Sequence, residues 1–249
     1  MRHQPRPFRI PSRNITRDTC ARLFFLFLLL LQILIPSEFA SASVLKHHVK
    51  PTLTDGFDKT GLILIGSGLL ATALAQTKDY EVREAYQDNQ RISHSSARFG
   101  DFLGTGIPGS AIALSQMLFA SGDNKHAGYA HAEALIDTFI ATSLLKTINR
   151  RNRPDSDNKQ AMPSGHASTT FATATSLAYS YGWAAAVPAY MLAGFTAATR
   201  WSDDAHWFSD TVAGAFVGIF WGRATWLHHG CITPVVSRYG SGFVWKTSF

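Results

Sequence analysis

Two cysteines in 249 residues are too few for a disulfide framework. Cys20 lies before an apolar run near the amino terminus and would leave with it if that run is removed, so Cys231 would stand alone and the mature fold must rest on packing. No repeat of 20–50 residues and no low-complexity tract occurs, which excludes solenoids and arrays. Metal-ligating sets are missing too. The pairs His47/His48 and His228/His229 have no cysteine or carboxylate at a familiar spacing and read as surface residues. Net positive charge is nearly confined to one segment: residues 1–22 hold six arginines against one aspartate, so they carry +5 of the formal +6 and leave +1 for the rest. A basic surface suited to nucleic acid is thereby excluded.

What is present at the amino terminus is that basic segment, then the 13-residue run Leu23 to Ile35, then a polar stretch ending Ala40-Ser41-Ala42. This order predicts a secretory signal peptide over residues 1–42, cleaved after Ala42, and export to the periplasm or the periplasmic face of an envelope membrane. A membrane anchor is the competing reading, but 13 residues at about 1.5 Å each reach only about 20 Å of an approximately 30 Å hydrocarbon layer.

Residues 43–249 fit one domain with an ample core. After a polar lead-in, apolar stretches recur at 60–76, 104–120, 129–147, 166–181, 183–199 and 207–227, parted by Gly, Pro, Asn or Asp clusters. They are rich in Ala, Leu and Gly and lack the alternation of strands. The expectation is an all-α bundle of six helices. Glu81 to Phe99 is amphipathic and charged, suited to a surface helix laid across the bundle, and the tail 230–249 carries no readable role.

Chemistry concentrates in three strings: KTINRRNRP (Lys146 to Pro154), PSGH (Pro163 to His166) and TRWSDDAHWFSD (Thr199 to Asp210). A phosphoryl group in transit spreads negative charge over three oxygens while attacking and leaving atoms lie in line, so catalysis is mostly positioning and charge stabilisation. Lys146, Arg153 and Arg200 are suited to holding those oxygens. Ser164 and Gly165 sit where a helix would start, offering free backbone N–H groups to an anion. His206 and Asp210 are four apart and share a helix face if the segment is helical, so a carboxylate can orient a nucleophilic imidazole. His166 is the available general acid. This equipment calls for no metal and no other cofactor.

Each element also has a plainer reading. An Arg-rich loop is commonly a solvated anion patch, PSGH a helix cap followed by an incidental histidine, and a His/Asp pair a structural hydrogen bond. Their joint occurrence at three spacings that one mechanism requires favours a phosphoryl-transfer site. Asp203 and Asp204 read as solvated loop carboxylates, and Glu133 with Asp137 as a structural pair on one helix face.

Lysine, six residues, Arg-Pro; then PSGH; then Arg, five residues, His, three residues, Asp resembles the signature of the type 2 phosphatidic acid phosphatase (PAP2) superfamily, which also holds bacterial class A acid phosphatases and vanadium haloperoxidases. Thr199 stands where that family usually has serine. The resemblance implies a phosphohistidine on His206, protonation of the leaving group by His166, and no metal. Three functions follow from it: a phosphatase acting on a membrane-lipid phosphate ester or diphosphate, a soluble periplasmic acid phosphatase of broad specificity, and, least favoured on chain length, a haloperoxidase. Many relatives are six-helix lipid phosphatases, which tilts the expectation towards membrane association. Trp183, Trp201, Trp207, Trp221 and Trp226 suit either an interfacial belt or a large helical core.

Overall fold

The computed structural model describes residues 56–88, 91–120, 124–227, 231–237 and 240–246. The expected leader with its cleavage site, Cys20, and the pairs His47/His48 and His228/His229 lie outside the described residues. Eight helices are present among them: α1 (Lys59–Gln76), α2 (Asp79–Gln87), α3 (His94–Gly104), α4 (Ile107–Phe119), α5 (Asn124–Asn149), α6 (Gly165–Tyr181), α7 (Trp183–Ser202) and α8 (Phe208–Leu227). The chain is all-helical in its body, and each of the six apolar stretches coincides with a helix. The charged segment expected as one surface helix is instead two, α2 and α3, because Ser93 caps a fresh start by accepting a hydrogen bond from the Ser96 N–H. The tail forms a hairpin that sequence did not suggest, with β1 (Cys231–Ser237) antiparallel to β2 (Gly240–Lys246).

Local chemistry explains the other ends. Asp58 caps α1 through Oδ1 at 2.7 Å from the Gly61 N–H, and Ser164 caps α6 by accepting from the Ala167 N–H. Between α3 and α4 the chain turns at Gly106 with φ 86°, a left-handed conformation that glycine adopts without steric cost.

Small residues set the central packing. Gly214, Gly218 and Gly222 on α8 face Ser164, Ala167, Ser168, Ala172 and Thr175 on α6, and a Cβ at any of the three would overlap α6 atoms. The two helices therefore run side by side in the same direction, and their N-termini meet: the Ser164 N–H donates to the Asp210 carbonyl at 2.8 Å. Both positive dipole ends lie at that one end of the bundle. α1 runs antiparallel to α8. Asp58 at its start pairs with Arg223 late in α8, Gly68 lies against Phe216, and Asp79 just past its end accepts from Ser209 at the start of α8.

Among the described helices α1 is long and apolar enough to cross a membrane, and α3 with α4 pass the same test together across a 48° bend. Large apolar side chains stand exposed on α1 (Leu62, Leu69, Leu70), α4 (Leu118, Phe119), α5 (Ile140, Leu144) and α7 (Trp183, Met191).

Candidate active site

The chain delivers its chemistry from helix ends. Lys146 sits in the last turn of α5, Arg153 in the loop that follows, Ser164 and Gly165 at the mouth of α6 with His166 in its first turn, Arg200 in the last turn of α7, His206 in the α7–α8 loop and Asp210 in the first turn of α8. All eight residues singled out in the sequence thus come to the same end of the bundle. His206 is the centre. Burial, followed by the positive charges of Lys146, Arg153, His166 and Arg200, holds its imidazole well below the usual histidine range. A neutral ring is what a nucleophile needs.

Asp210 stands beside that ring without bonding it. The His206 Nδ1 is 3.6 Å from Asp210 Oδ2, too long for a hydrogen bond, and the buried Nδ1 has no hydrogen-bond partner. Asp210 is occupied elsewhere: it accepts from the Trp207 N–H at 2.9 Å and from Arg151 Nη1 at 2.9 Å. The expected orienting bond is therefore a neighbouring charge in this state, one that a shift of about half an ångström would convert to a bond.

Lys146 and Arg200 are prepared for anions in different ways. Burial, and then the nearby Arg153, push the Lys146 ammonium down to about 8, and its Nζ donates to the Gln160 carbonyl at 2.6 Å. Arg200, with a side chain only 2% exposed, donates to Asp101 at 2.6 Å and to Thr199 Oγ1 at 3.1 Å, and it pairs with Asp203 at 2.9 Å. A guanidinium fixed on several sides presents one orientation to a ligand. Thr199 supplies the hydroxyl that serine would.

Several participants escaped the sequence reading. Arg151 forks between Asp210 and Asp79, the latter at 2.7 Å, with its guanidinium over the Trp207 ring. Asp79 also accepts from the Ser209 N–H and hydroxyl, both at 2.8 Å. Asp101 on α3 contacts both His166, at 3.0 Å, and Arg200. Asp203 is exposed, as read, while also pairing with Arg200, but the solvated reading of Asp204 needs correction: it takes a two-pronged bond from Arg83 at 2.6 and 2.7 Å. Glu133 and Asp137 lie half-buried within α5.

The family model described as PAP2 superfamily matches residues 127–231, a span that contains all eight motif residues. That segment is thus similar to the PAP2 superfamily. The lipid A 1-phosphatase of Porphyromonas gingivalis is 36% identical over 100 residues, which cover 39% of this chain and 21% of that protein, so the match spans about a fifth of that relative's length. The crystal structure of Aquifex aeolicus LpxE superposes with a TM-score of 0.51 at 19% identity, covering 59% of this chain and 93% of that one. At that identity the likeness is one of fold. Asp79, Arg83 and Asp101 lie before the PAP2 segment, in α2 and α3, so the upstream helices supply parts of the site that the family match does not include.

Proposed function

We propose that the chain is a phosphatase hydrolysing a phosphate ester or diphosphate of a membrane lipid through a phosphohistidine on His206, without a metal. The observation that carries this reading is the convergence of Lys146, Arg153, His166 and Arg200 on one buried neutral histidine. Lys146, Arg153, Arg200 and the N–H groups at the mouth of α6 would bind the phosphoryl oxygens and stabilise the charge that develops on them. The unprotonated Nε2 of His206 attacks phosphorus while the bond to the leaving oxygen breaks, and His166 gives that oxygen a proton. Asp210 stabilises the resulting imidazolium phosphate. Neutral His166 then takes a proton from water as the water attacks phosphorus, which frees phosphate and restores both histidines.

A lipid substrate is supported by the similarity to the lipid A 1-phosphatase of Porphyromonas gingivalis and by the exposed apolar side chains of α1, α4, α5 and α7, which suit contact with acyl chains. We further propose that the protein is exported, with its catalytic end in the periplasm. A soluble acid phosphatase is the second reading, favoured by the polar content of α5 and α6.

A phosphate-release screen of the purified full chain tests this, using lipid A, phosphatidate, polyprenyl diphosphate and soluble esters, with and without detergent. We expect lipid phosphates to be preferred, chelator to have no effect, orthovanadate to inhibit as a transition-state analogue, and His206→Ala to abolish release. More than a few per cent of activity remaining in that folded variant would sink the phosphohistidine route, and preference for soluble esters would favour the second reading.

A further inference from the structure

We propose that Asp101, on α3, is a positioning residue that holds His166 in its protonated form, so that the reaction handles poor leaving groups. The inference rests on the phosphatase reading above and adds a residue upstream of the PAP2 segment, where no motif points.

The geometry is specific. One carboxylate oxygen, Asp101 Oδ1, lies 2.6 Å from Arg200 Nη1 and 3.0 Å from His166 Nε2. Arg200 is almost fully buried and pinned by Thr199 and Asp203, so it fixes the carboxylate, which in turn fixes the imidazole. The bond to His166, more than any other influence, holds the Asp101 carboxyl well below the usual carboxylate range, so it is an anion throughout the working pH range. The backbone of α3 is shaped for this approach. A Cβ on Gly104 would overlap the His166 ring and one on Gly100 would overlap Thr199, so both glycines let α3 press directly on the first turn of α6 and the last turn of α7.

The surroundings of His166 otherwise oppose its protonation. Arg200 is close, and Lys146 and Arg153 share the same pocket around His206. Like charges disfavour an imidazolium. Asp203 and Asp204 follow at this end of α7, and they are engaged by Arg200 and Arg83 respectively. Asp101 is an anion in direct contact with the ring. With Nε2–H committed to Asp101, the proton given to the leaving oxygen is the one on Nδ1. The ring becomes neutral while keeping its bond to Asp101, and Nδ1 regains a proton from the hydrolytic water.

Such a role has two signatures that a merely structural carboxylate lacks. Asp101 is 40% exposed, so Asp101→Asn is a tolerable change. In the full chain labelled at histidine, with His166→Ala to assign the resonance, NMR titration should find His166 protonating at lower pH in Asp101→Asn than in wild type. This readout stands even if the chain proves not to be a phosphatase. Kinetically, the variant should lose on the order of 100-fold in kcat on an alkyl phosphate, the scale of general-acid catalysis, but only a few-fold on p-nitrophenyl phosphate, whose leaving group departs without a proton. Asp101→Glu should recover part of the loss. An unshifted His166 titration overturns the proposal, as does an equal loss on both esters. Phosphate release absent from the wild type, with the titration shifted as expected, would instead count against the phosphatase reading alone.

Discussion

At the scale of single residues, two neighbours in NRRNRP divide into unlike tasks. Arg153 faces His206, while Arg151 turns away to bridge Asp79 and Asp210, carboxylates 3% and 0% exposed. Removing a partner from buried charges costs far more than a surface ion pair is worth. Arg151→Ala should therefore destabilise the fold by about 3 kcal/mol, read as a lower thermal midpoint, and Arg151→Lys should recover only part because a lysine cannot fork. An unchanged midpoint would show that the bridge carries little. Lys146 yields a pH prediction whose sign is fixed by burial. Its ammonium gives up its proton as pH rises through about 8, so the phosphate-binding charge present at neutral pH is lost above that value. KM for a phosphate ester should rise there, and Lys146→Arg, which stays charged, should flatten the rise. The motif residues were legible because one reaction demands their types at short, fixed spacings. Arg151 lay in plain view, but its partners are 59 and 72 positions away, and no local pattern announces them.

Elements behave similarly. The six apolar stretches read as helices because Ala, Leu, Gly and Thr runs between turn signals leave the backbone few alternatives. Their packing was not read from the sequence: glycines every four residues in α8 form a small-residue stripe that seats α6 and brings two helix N-termini together. The role of α2 was hidden. From the sequence it is a charged surface helix, yet it braces the loop that carries His206 through Asp79 to Ser209, Arg83 to Asp204, Gln87 to the Trp201 carbonyl, and Tyr80 against Trp207. Arg83 also holds Asp204 at φ 52°, a left-handed conformation that is uncommon for a side-chain-bearing residue. Asp79→Ala leaves the Ser209 N–H buried without an acceptor and should cost about 2 kcal/mol, with a larger fall in kcat than in substrate affinity because the loop carrying His206 loosens. A variant that loses stability while retaining kcat would confine α2 to a structural role.

The whole molecule constrains its own topology. α1 begins beside Arg223, deep along α8, and ends beside Ser209 at the start of α8, so the chain enters the bundle at the end opposite the catalytic groups. Were the bundle to cross a bilayer with its site outside, Asp58 would lie in the cytoplasm. A leader cleaved after Ala42 instead delivers Ser43 outside, only 15 residues before Asp58. Cleavage, an outward site and a crossing bundle cannot all hold. Glu133 and Asp137, half-buried within α5, would be costly in hydrocarbon, which favours a bundle that docks on the outer surface through its exposed apolar side chains without crossing. The test uses a Cys20→Ser, Cys231→Ser background with single cysteines at Trp183, exposed at the far end, or Asn152, exposed at the end where the motif residues gather. With an amino terminus at Ser43, both positions should react with a membrane-impermeant maleimide supplied from the periplasmic side. Labelling of Asn152→Cys alone, with Met1 retained, would instead mean a crossing bundle and an uncleaved leader. Labelling of Trp183→Cys alone after cleavage would turn the catalytic end to the cytoplasm, where the leaving lipid would have to be met from the inner leaflet.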